Sequence, residues 1–452
     1  MTRLFGTNGI RGVVGREMTP TLAYHVSRAV GTLWKGGPVV VGNDTRTSGP
    51  MLKAAVLAGL TSAGCRVSDL GTAPSPAIQL HVKEGEFAGG VIVTASHNPP
   101  EYNGLKVLDG EGMEMPRATE REIEGIYFER TFATPSWDAV GEVVPVAGGN
   151  RRYGEAVLEH VDGDAIRERA FRVVLDCANG PASLTSPYLL QALGCRVLTL
   201  NAQPDGTFPG HPPEPRPEHL EELTALVAET GADLGAAHDG DADRVIFVDE
   251  SGRYVYGDRS LALVAGHMVG KAGGGTVVTP VSSSSCVEEV VSAAGGEVTY
   301  TPVGAPLVAR KMYEMRATFG GEENGGLIFP THQYARDGAL GLAVMLEILA
   351  SEKASLSERL ARLPTYHLVK GSLPCPPETR QRVMDALAER VVERRVDRTD
   401  GLKIFFAAGW ALVRPSGTEA IIRVFSEGKT RQDAQRLFDE VRGMLAEIKA
   451  SG

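Results

Sequence analysis

Disulfide chemistry is the first thing this chain cannot support. Its five cysteines among 452 residues (Cys65, Cys177, Cys195, Cys286 and Cys375) are odd in number, widely scattered and mostly set inside apolar runs. They read as small buried side chains in a reducing compartment, neither a disulfide frame nor a zinc site. Long apolar runs are missing too: none approaches the roughly 18 residues of a membrane-spanning helix. The opening residues, Met1 to Gly12, lack a signal peptide's apolar centre. There is no basic excess either, and the formal charge of −10 argues against nucleic acid as a partner. What remains is a cytoplasmic chain with neither a membrane nor a nucleic-acid partner. Its small-molecule ligand can still be anionic if a few cations gather in one cleft. A homo-oligomer is compatible with each of these absences.

What is present is repetition. Val39-Val40-Val41, Val173-Val174-Leu175 and Thr276-Val277-Val278 each read as a short buried strand. Each is followed by a polar loop, a helix and a glycine stop before a new strand: Gly64-Cys65-Arg66-Val67, Gly194-Cys195-Arg196-Val197 and Gly295-Gly296-Glu297-Val298. Parallel pairing with a right-handed crossover is the expected outcome. In each unit a later buried strand runs into a polar segment: Thr94 to Asn98, Asp239 to Arg244, and Gly321 to Gly326. If the units face one cleft, the three loops converge there.

The C-terminal part differs. Leu402 to Phe406, Trp410 to Val413 and Ile421 to Phe425 read as strands, before a helix opened by Thr430 and Asp433. Ala434, Leu437, Phe438, Val441, Met444, Leu445 and Ile448 make that helix's apolar stripe. The expected class is α/β: three related α/β domains with mixed, largely parallel sheets, plus a C-terminal α+β domain, around a central cleft. Boundaries are expected at 1–149, 150–251, 252–367 and 368–452. Gln203 to Pro217 reads as a stiff surface loop of the second unit, and the basic run Arg390 to Arg398 as a solvated helix face.

The loops carry the chemistry. Pro99 and Pro100 forbid a continuing ladder, so Ser96, His97 and Asn98 lie on a stiffened loop at a strand's C-terminal end. Ligands usually meet parallel sheets at that end. Asp239, Asp241 and Asp243 alternate in a tight loop relieved by Gly240, a pattern that suits a hard cation such as Mg2+. A calcium loop of the EF-hand kind is discounted because it needs flanking helices, whereas this loop follows one buried strand and precedes another, Val245 to Val248. Arg244 is placed to neutralise a phosphate. Glu322 and Asn324, among Gly321, Gly325 and Gly326, suit vicinal sugar hydroxyls. Arg414, Ser416, Gly417 and Thr418, with Arg423 as a second cation, suit a phosphate cradle. That cradle has no Walker lysine, which argues against nucleoside triphosphates.

Together these stretches resemble the α-D-phosphohexomutase superfamily, over essentially the whole chain. Phe5-Gly6-Thr7-Asn8-Gly9-Ile10-Arg11-Gly12 looks most like phosphoglucosamine mutases, and Glu322-Glu323-Asn324-Gly325-Gly326 looks like archaeal members, assigned to glucosamine, mannose or glucose phosphates. The resemblance implies that Ser96 is a phosphoserine sharing Mg2+ with Asp239, Asp241 and Asp243. It places Arg11, Lys106, His97 and Arg244 around the reacting centre, and Glu322 and Asn324 on the sugar. It puts Arg414, Ser416, Gly417 and Thr418 on the phosphate that is not transferred. It further implies a phosphosugar substrate and a sugar 1,6-bisphosphate activator.

The expected activity is interconversion of hexose 6-phosphate and hexose 1-phosphate, with phosphoglucosamine mutase as the first reading. A phosphomannomutase/phosphoglucomutase of broad specificity is the alternative, and a Mg2+-dependent sugar phosphatase or a non-catalytic sugar-phosphate binder ranks below it. One departure stands out: many relatives carry histidine where this chain has Gly326. If that histidine moves a proton elsewhere, Lys106, His97 or His332 must do so here, or the role is dispensable.

Overall fold

A computed structural model describes residues 3–416 and 420–450. The first sheet comprises β1 (Ile10–Val13), β2 (Val39–Asn43), β3 (Val67–Thr72), β4 (Gly89–Val93), β5 (Tyr102–Asp109) and β6 (Val143–Pro145), in the order β1-β5-β4-β2-β3-β6. The second holds β7 (Arg172–Asp176), β8 (Arg196–Leu200), β9 (Leu234–His238), β10 (Val245–Val248) and β11 (Tyr254–Val255), ordered β11-β10-β9-β7-β8. The third holds β12 (Gly275–Pro280), β13 (Gly296–Thr301), β14 (Phe319–Gly321) and β15 (Leu327–Ile328), ordered β13-β12-β14-β15.

One plan underlies all three. The strings β5-β4-β2-β3, β10-β9-β7-β8 and β15-β14-β12-β13 correspond in order, with the last three strands of each parallel and the first antiparallel to its neighbour. The turn from the third strand in sequence to the fourth is therefore the same corner in each sheet. It carries Ser96 in the first, Asp239 to Asp243 in the second, and Glu322 to Gly326 in the third. The expected glycine stops at Gly64, Gly194 and Gly295 all have positive φ, where any Cβ would be strained.

The helix Gly338–Glu352 is buried almost all the way round and packs on the second and third units. A helix apolar on every side belongs inside a molecule. Its N-cap, Asp337, accepts from Leu340 N (2.9 Å) and from the buried Tyr153 hydroxyl (2.5 Å). It thereby fixes the chain just before it, including Arg336.

The fourth sheet is antiparallel throughout: β16 (His367–Pro374), β17 (Val396–Asp397), β18 (Leu402–Phe406), β19 (Gly409–Pro415) and β20 (Ile421–Gly428), ordered β16-β20-β19-β18-β17. Helices Pro377–Arg390 and Arg431–Ala450 contribute to its core; the stripe of the latter is buried as expected, with Met444 partly so. Two details differ from expectation. The weakly patterned stretch before Pro376 is a full edge strand, β16, whose partner β20 supplies the missing regularity. The basic run is not a helix face: the helix ends at Arg390 and the run turns into β17. There Arg394 and Arg395 stack over Phe406 and Phe405, at 4.2 and 4.4 Å from the ring centres. All five cysteines are buried and unpaired. No helix among the described residues is long and apolar enough to cross a membrane.

Candidate active site

The serine corner is held in a conformation its own residues would not choose. Ser96 has φ 52, which for a residue with a Cβ costs about 1 kcal/mol or more. Thr94 braces it, accepting from Ser96 N (2.9 Å) while donating to Asp44 Oδ2 (2.6 Å). Arg46, fully buried, does more. Its guanidinium donates to the carbonyls of Ser96 (2.7 Å), Asn98 (2.5 Å), Pro99 (2.6 Å) and Tyr102 (2.8 Å), and Nε reaches Asp44 Oδ2 at 3.2 Å. Four carbonyls aimed at one fork leave the loop little freedom.

Neither Asp44 nor Arg46 was anticipated. The available signal was a polar Asn43-Asp44-Thr45-Arg46 segment leaving a buried strand beside the serine strand. The proline-rich loop at 203–217 is mostly exposed, as expected, and covers this bracket from outside. The buried Phe208 ring lies 5.0 Å from the Arg46 guanidinium, and Pro213 O accepts from Gly240 N at 3.1 Å.

The acidic corner meets the serine corner directly. Ser96 Oγ donates to Asp239 Oδ2 at 2.9 Å, and His97 Nδ1 is 3.4 Å from the same hydroxyl. A Cβ on Gly240 would stand 2.4 Å from Ser96 O, so only glycine allows this approach. Asp239, Asp241 and Asp243 are all buried, and one carboxylate oxygen from each lies within 4.8 Å of the others. Lys106, from β5, donates to Asp241 Oδ2 (2.7 Å) and Asp243 Oδ2 (3.1 Å), while Arg244 Nε is 3.7 Å from Asp239 and Asp243.

The electrostatics follow from this packing. Burial together with Asp243 and Asp241 holds the Asp239 carboxyl well above the usual range. Burial alone would also raise Asp241, but Lys106 and the Ser75 hydroxyl (2.6 Å) more than reverse it. Burial opposes charge on Lys106, yet Asp241, Asp243 and Glu114 outweigh it and keep its pKa above the ordinary value. The nearby cations Arg244 and Arg11, with burial, hold His97 neutral. Asp241 Oδ1 and Asp243 Oδ1 are buried without a hydrogen-bond partner among the described residues. Buried carboxylate oxygens are costly to leave unmatched, and three oxygen donors this close suit a hard divalent cation.

Arg11, on β1, is turned the same way. Its Nη1 binds Ala95 O (3.2 Å) and Asn98 Oδ1 (2.9 Å), and Nε binds Asn8 O (3.2 Å). Its Nη2 has no hydrogen-bond partner among the described residues and is available to an anion. Glu114 also belongs to this cluster and was not foreseen; burial pushes its carboxyl up against the pull of Lys106 and Arg336.

The third corner joins through Arg336. Its Nη2 donates to Asp243 Oδ2 at 2.5 Å, and its Nη1 is 3.5 Å from Glu322 Oε2. Asn324 Oδ1 accepts from Gly326 N at 3.0 Å, and its amide lies 3.4 Å from Glu322. Glu323 turns away to Lys370 of β16, at 2.7 Å. His332 is elsewhere: it packs on Tyr153 and His160, 3.3 Å from Asp337.

From the fourth sheet, Arg414 Nε donates to Asp400 Oδ2 at 2.5 Å, and the same oxygen accepts from Val303 N at 3.0 Å. Arg414 therefore sits where the fourth unit meets the third. Arg423 stands directly opposite it on β20. Ser416 is buried, and its N–H binds Ile421 O at 3.0 Å. Gly417 and Thr418 lie outside the described residues.

Comparison with known proteins bears on the whole chain. Models of the phosphoglucomutase/phosphomannomutase alpha/beta/alpha domains I, II and III match residues 2–134, 151–252 and 256–366, and that of the C-terminal domain matches 378–444. A phosphoglucomutase/phosphomannomutase of Thermococcus kodakarensis is 44% identical, with 97% of each chain covered. A phosphoglucosamine/phosphogalactosamine mutase of Sulfurisphaera tokodaii is 41% identical, covering 98% of this chain and 99% of its own. Among solved structures, a phosphoglucomutase/phosphomannomutase family protein of Burkholderia thailandensis superposes with a TM-score of 0.89 at 29% identity, covering 99% and 97% of the two chains. The same fold occurs in an N-acetylphosphoglucosamine mutase of Aspergillus fumigatus solved with GlcNAc-6P and magnesium, with a TM-score of 0.60, 18% identity, and 99% and 96% coverage.

Proposed function

The chain belongs to the phosphoglucomutase/phosphomannomutase family, and from that premise we propose that it interconverts hexose 6-phosphate and hexose 1-phosphate through phospho-Ser96 and a bound bisphosphate. Glucosamine phosphate is the first substrate proposed. The observation that carries the reading is the meeting of the Ser96 hydroxyl with three buried aspartates inside a ring of cations.

Phosphoryl transfer needs charge neutralisation and alignment more than covalent chemistry. Asp239, Asp241 and Asp243 would hold Mg2+, which when bound neutralises charge on the phosphoryl oxygens. Arg11, Arg244 and Lys106 add fixed positive charge on the protein side. The bond from Ser96 Oγ to phosphorus breaks as a bond from a sugar hydroxyl oxygen to phosphorus forms, the sugar hydroxyl losing its proton while Ser96 Oγ takes one up; in the return step Ser96 Oγ loses its proton and the freed sugar oxygen gains one. The bisphosphate then turns, and its other phosphoryl group goes back to Ser96. No phosphate is released. A trace of sugar 1,6-bisphosphate primes Ser96 or restores it when the phosphate is lost.

Arg414, Ser416, Gly417, Thr418 and Arg423 hold the phosphate that is not being transferred, while Glu322 and Asn324 hold the sugar. Because Ser96 is fully buried, the turn requires the cleft to open. We assign that motion to the fourth unit.

The test is a coupled assay on glucosamine, mannose and glucose phosphates with Mg2+ and trace bisphosphate, run beside a free-phosphate assay. Isomerisation without phosphate release is expected, and Ser96→Ala should lose about four orders of magnitude or more while still binding sugar phosphate. Stoichiometric phosphate release would make the protein a phosphatase. Equal rates on the three sugars would make it a mutase of broad specificity.

A further inference from the structure

Gly326 is a glycine whose backbone does not require one. Its neighbour Gly325 has φ 88, a left-handed conformation, but Gly326 is not among the positive-φ residues. Its N–H and C=O make ordinary turn bonds, to Asn324 Oδ1 (3.0 Å) and from Glu322 N (2.9 Å). What a side chain would lack here is room. A Cβ on Gly326 would stand 2.3 Å from Arg336 Cδ and 3.1 Å from its Cγ.

The Arg336 stem cannot swing aside, because it is pinned at both ends. At the far end the guanidinium holds Asp243 and Glu322. At the near end the Arg336 backbone is bridged to Ile328, and Asp337 N donates to Leu327 O at 2.9 Å. The whole side chain is buried. Where the resemblance sets a histidine in many relatives, this chain fills the space from ten positions further on.

We propose that Arg336 is a positioning residue that occupies the room above Gly326 and ties the acidic corner to the sugar corner, holding Asp243 and Glu322 in one register. Its partners differ in kind: one belongs to the cation-binding trio and the other faces the sugar. A fork with two donors spanning them sets a distance that a point charge could not. What the two corners bind rests on the mutase reading above; the shared space between positions 326 and 336 does not.

The experiment is a double-mutant cycle on the full chain with Gly326→Ala, Arg336→Ser and the pair, read by melting temperature and by kcat and KM. Gly326→Ala alone should lower the melting temperature by several degrees and kcat/KM by about tenfold, as expected of overpacking. In the Arg336→Ser background the same change should cost less than about twofold, because the obstacle has gone. Effects that simply multiply, or melting shifts that simply add, overturn the shared-space claim. The melting arm needs no turnover, so it reads the inference even if the wild-type chain proves not to be a mutase. Arg336→Lys, which keeps the charge and loses the fork, tests positioning: KM for the sugar phosphate should rise about fivefold or more. An unchanged KM with only kcat reduced would mark a loss of active fraction and overturn the positioning role.

Discussion

The first three sheets and the fourth meet the site in opposite ways. Each of the first three sends one corner into a common interior, where Ser96, the three aspartates, Lys106 and Arg336 are buried and joined by bonds of 2.5 to 3.1 Å. The fourth touches the third corner through a partly exposed pair, Lys370 and Glu323, and offers Arg414 from a strand end. Buried, interlocked charges hold a geometry; solvent-screened pairs are worth little and exchange readily. The contrast assigns fixed chemistry to the three corners and an adaptable grip to the fourth. A substrate that must be held in two orientations needs both.

That contrast can be broken, most severely at the aspartates. Asp241→Asn should cut kcat by about 10²–10³-fold, with MgCl2 titration calorimetry showing weakened binding. A mild loss would mean the trio is not the fixed centre. Next is Arg46, which touches no proposed ligand. Arg46→Met strands the buried Asp44 and frees four carbonyls, so it should destabilise the chain by about 3–5 kcal/mol, measured by urea denaturation. Faster amide exchange confined to residues 94–102 would locate the damage. Unchanged exchange there would show that the serine corner holds itself.

Arg414→Ala should act differently, raising KM about tenfold with kcat changed much less. An equal fall in kcat would place the fourth unit in the chemistry and erase the distinction.

The smallest effect concerns the loop covering the serine corner. His211 Nε2 is 3.1 Å from Asp176 Oδ2. Burial opposes charge on His211, but the hydrogen bond and charge of Asp176 outweigh it and raise its pKa, while Asp176 is lowered. A raised folded pKa gives stability that is full below the unfolded value and lost as pH rises through the folded one. His211→Gln should therefore lower the melting temperature more at pH 6 than at pH 9, by about 1–2 °C. The opposite order would mean the pair does not anchor the loop.

The repeat was legible because buried strands and glycine stops are local, and each of the three units states them again. The loop residues were legible because serine, alternating aspartates and a glutamate-asparagine pair among glycines each carry recognisable chemistry. Arg46, Asp44, Glu114 and Arg336 were not, since each acts on a partner supplied by another part of the fold. The edge strand β16 and the turn after Arg390 escaped because their order comes from β20 and from the aromatic faces of β18.

From its residues alone the chain determines three copies of one α/β plan, the corner each copy presents and the kind of group each corner bears. Local backbone preference and apolar periodicity suffice for that. Only the tertiary structure decides that the corners meet, that Asp243 answers to both Lys106 and Arg336, and that Gly326 has no room for a side chain. Those are matters of distance between segments far apart in sequence, set by how the units pack around a shared core.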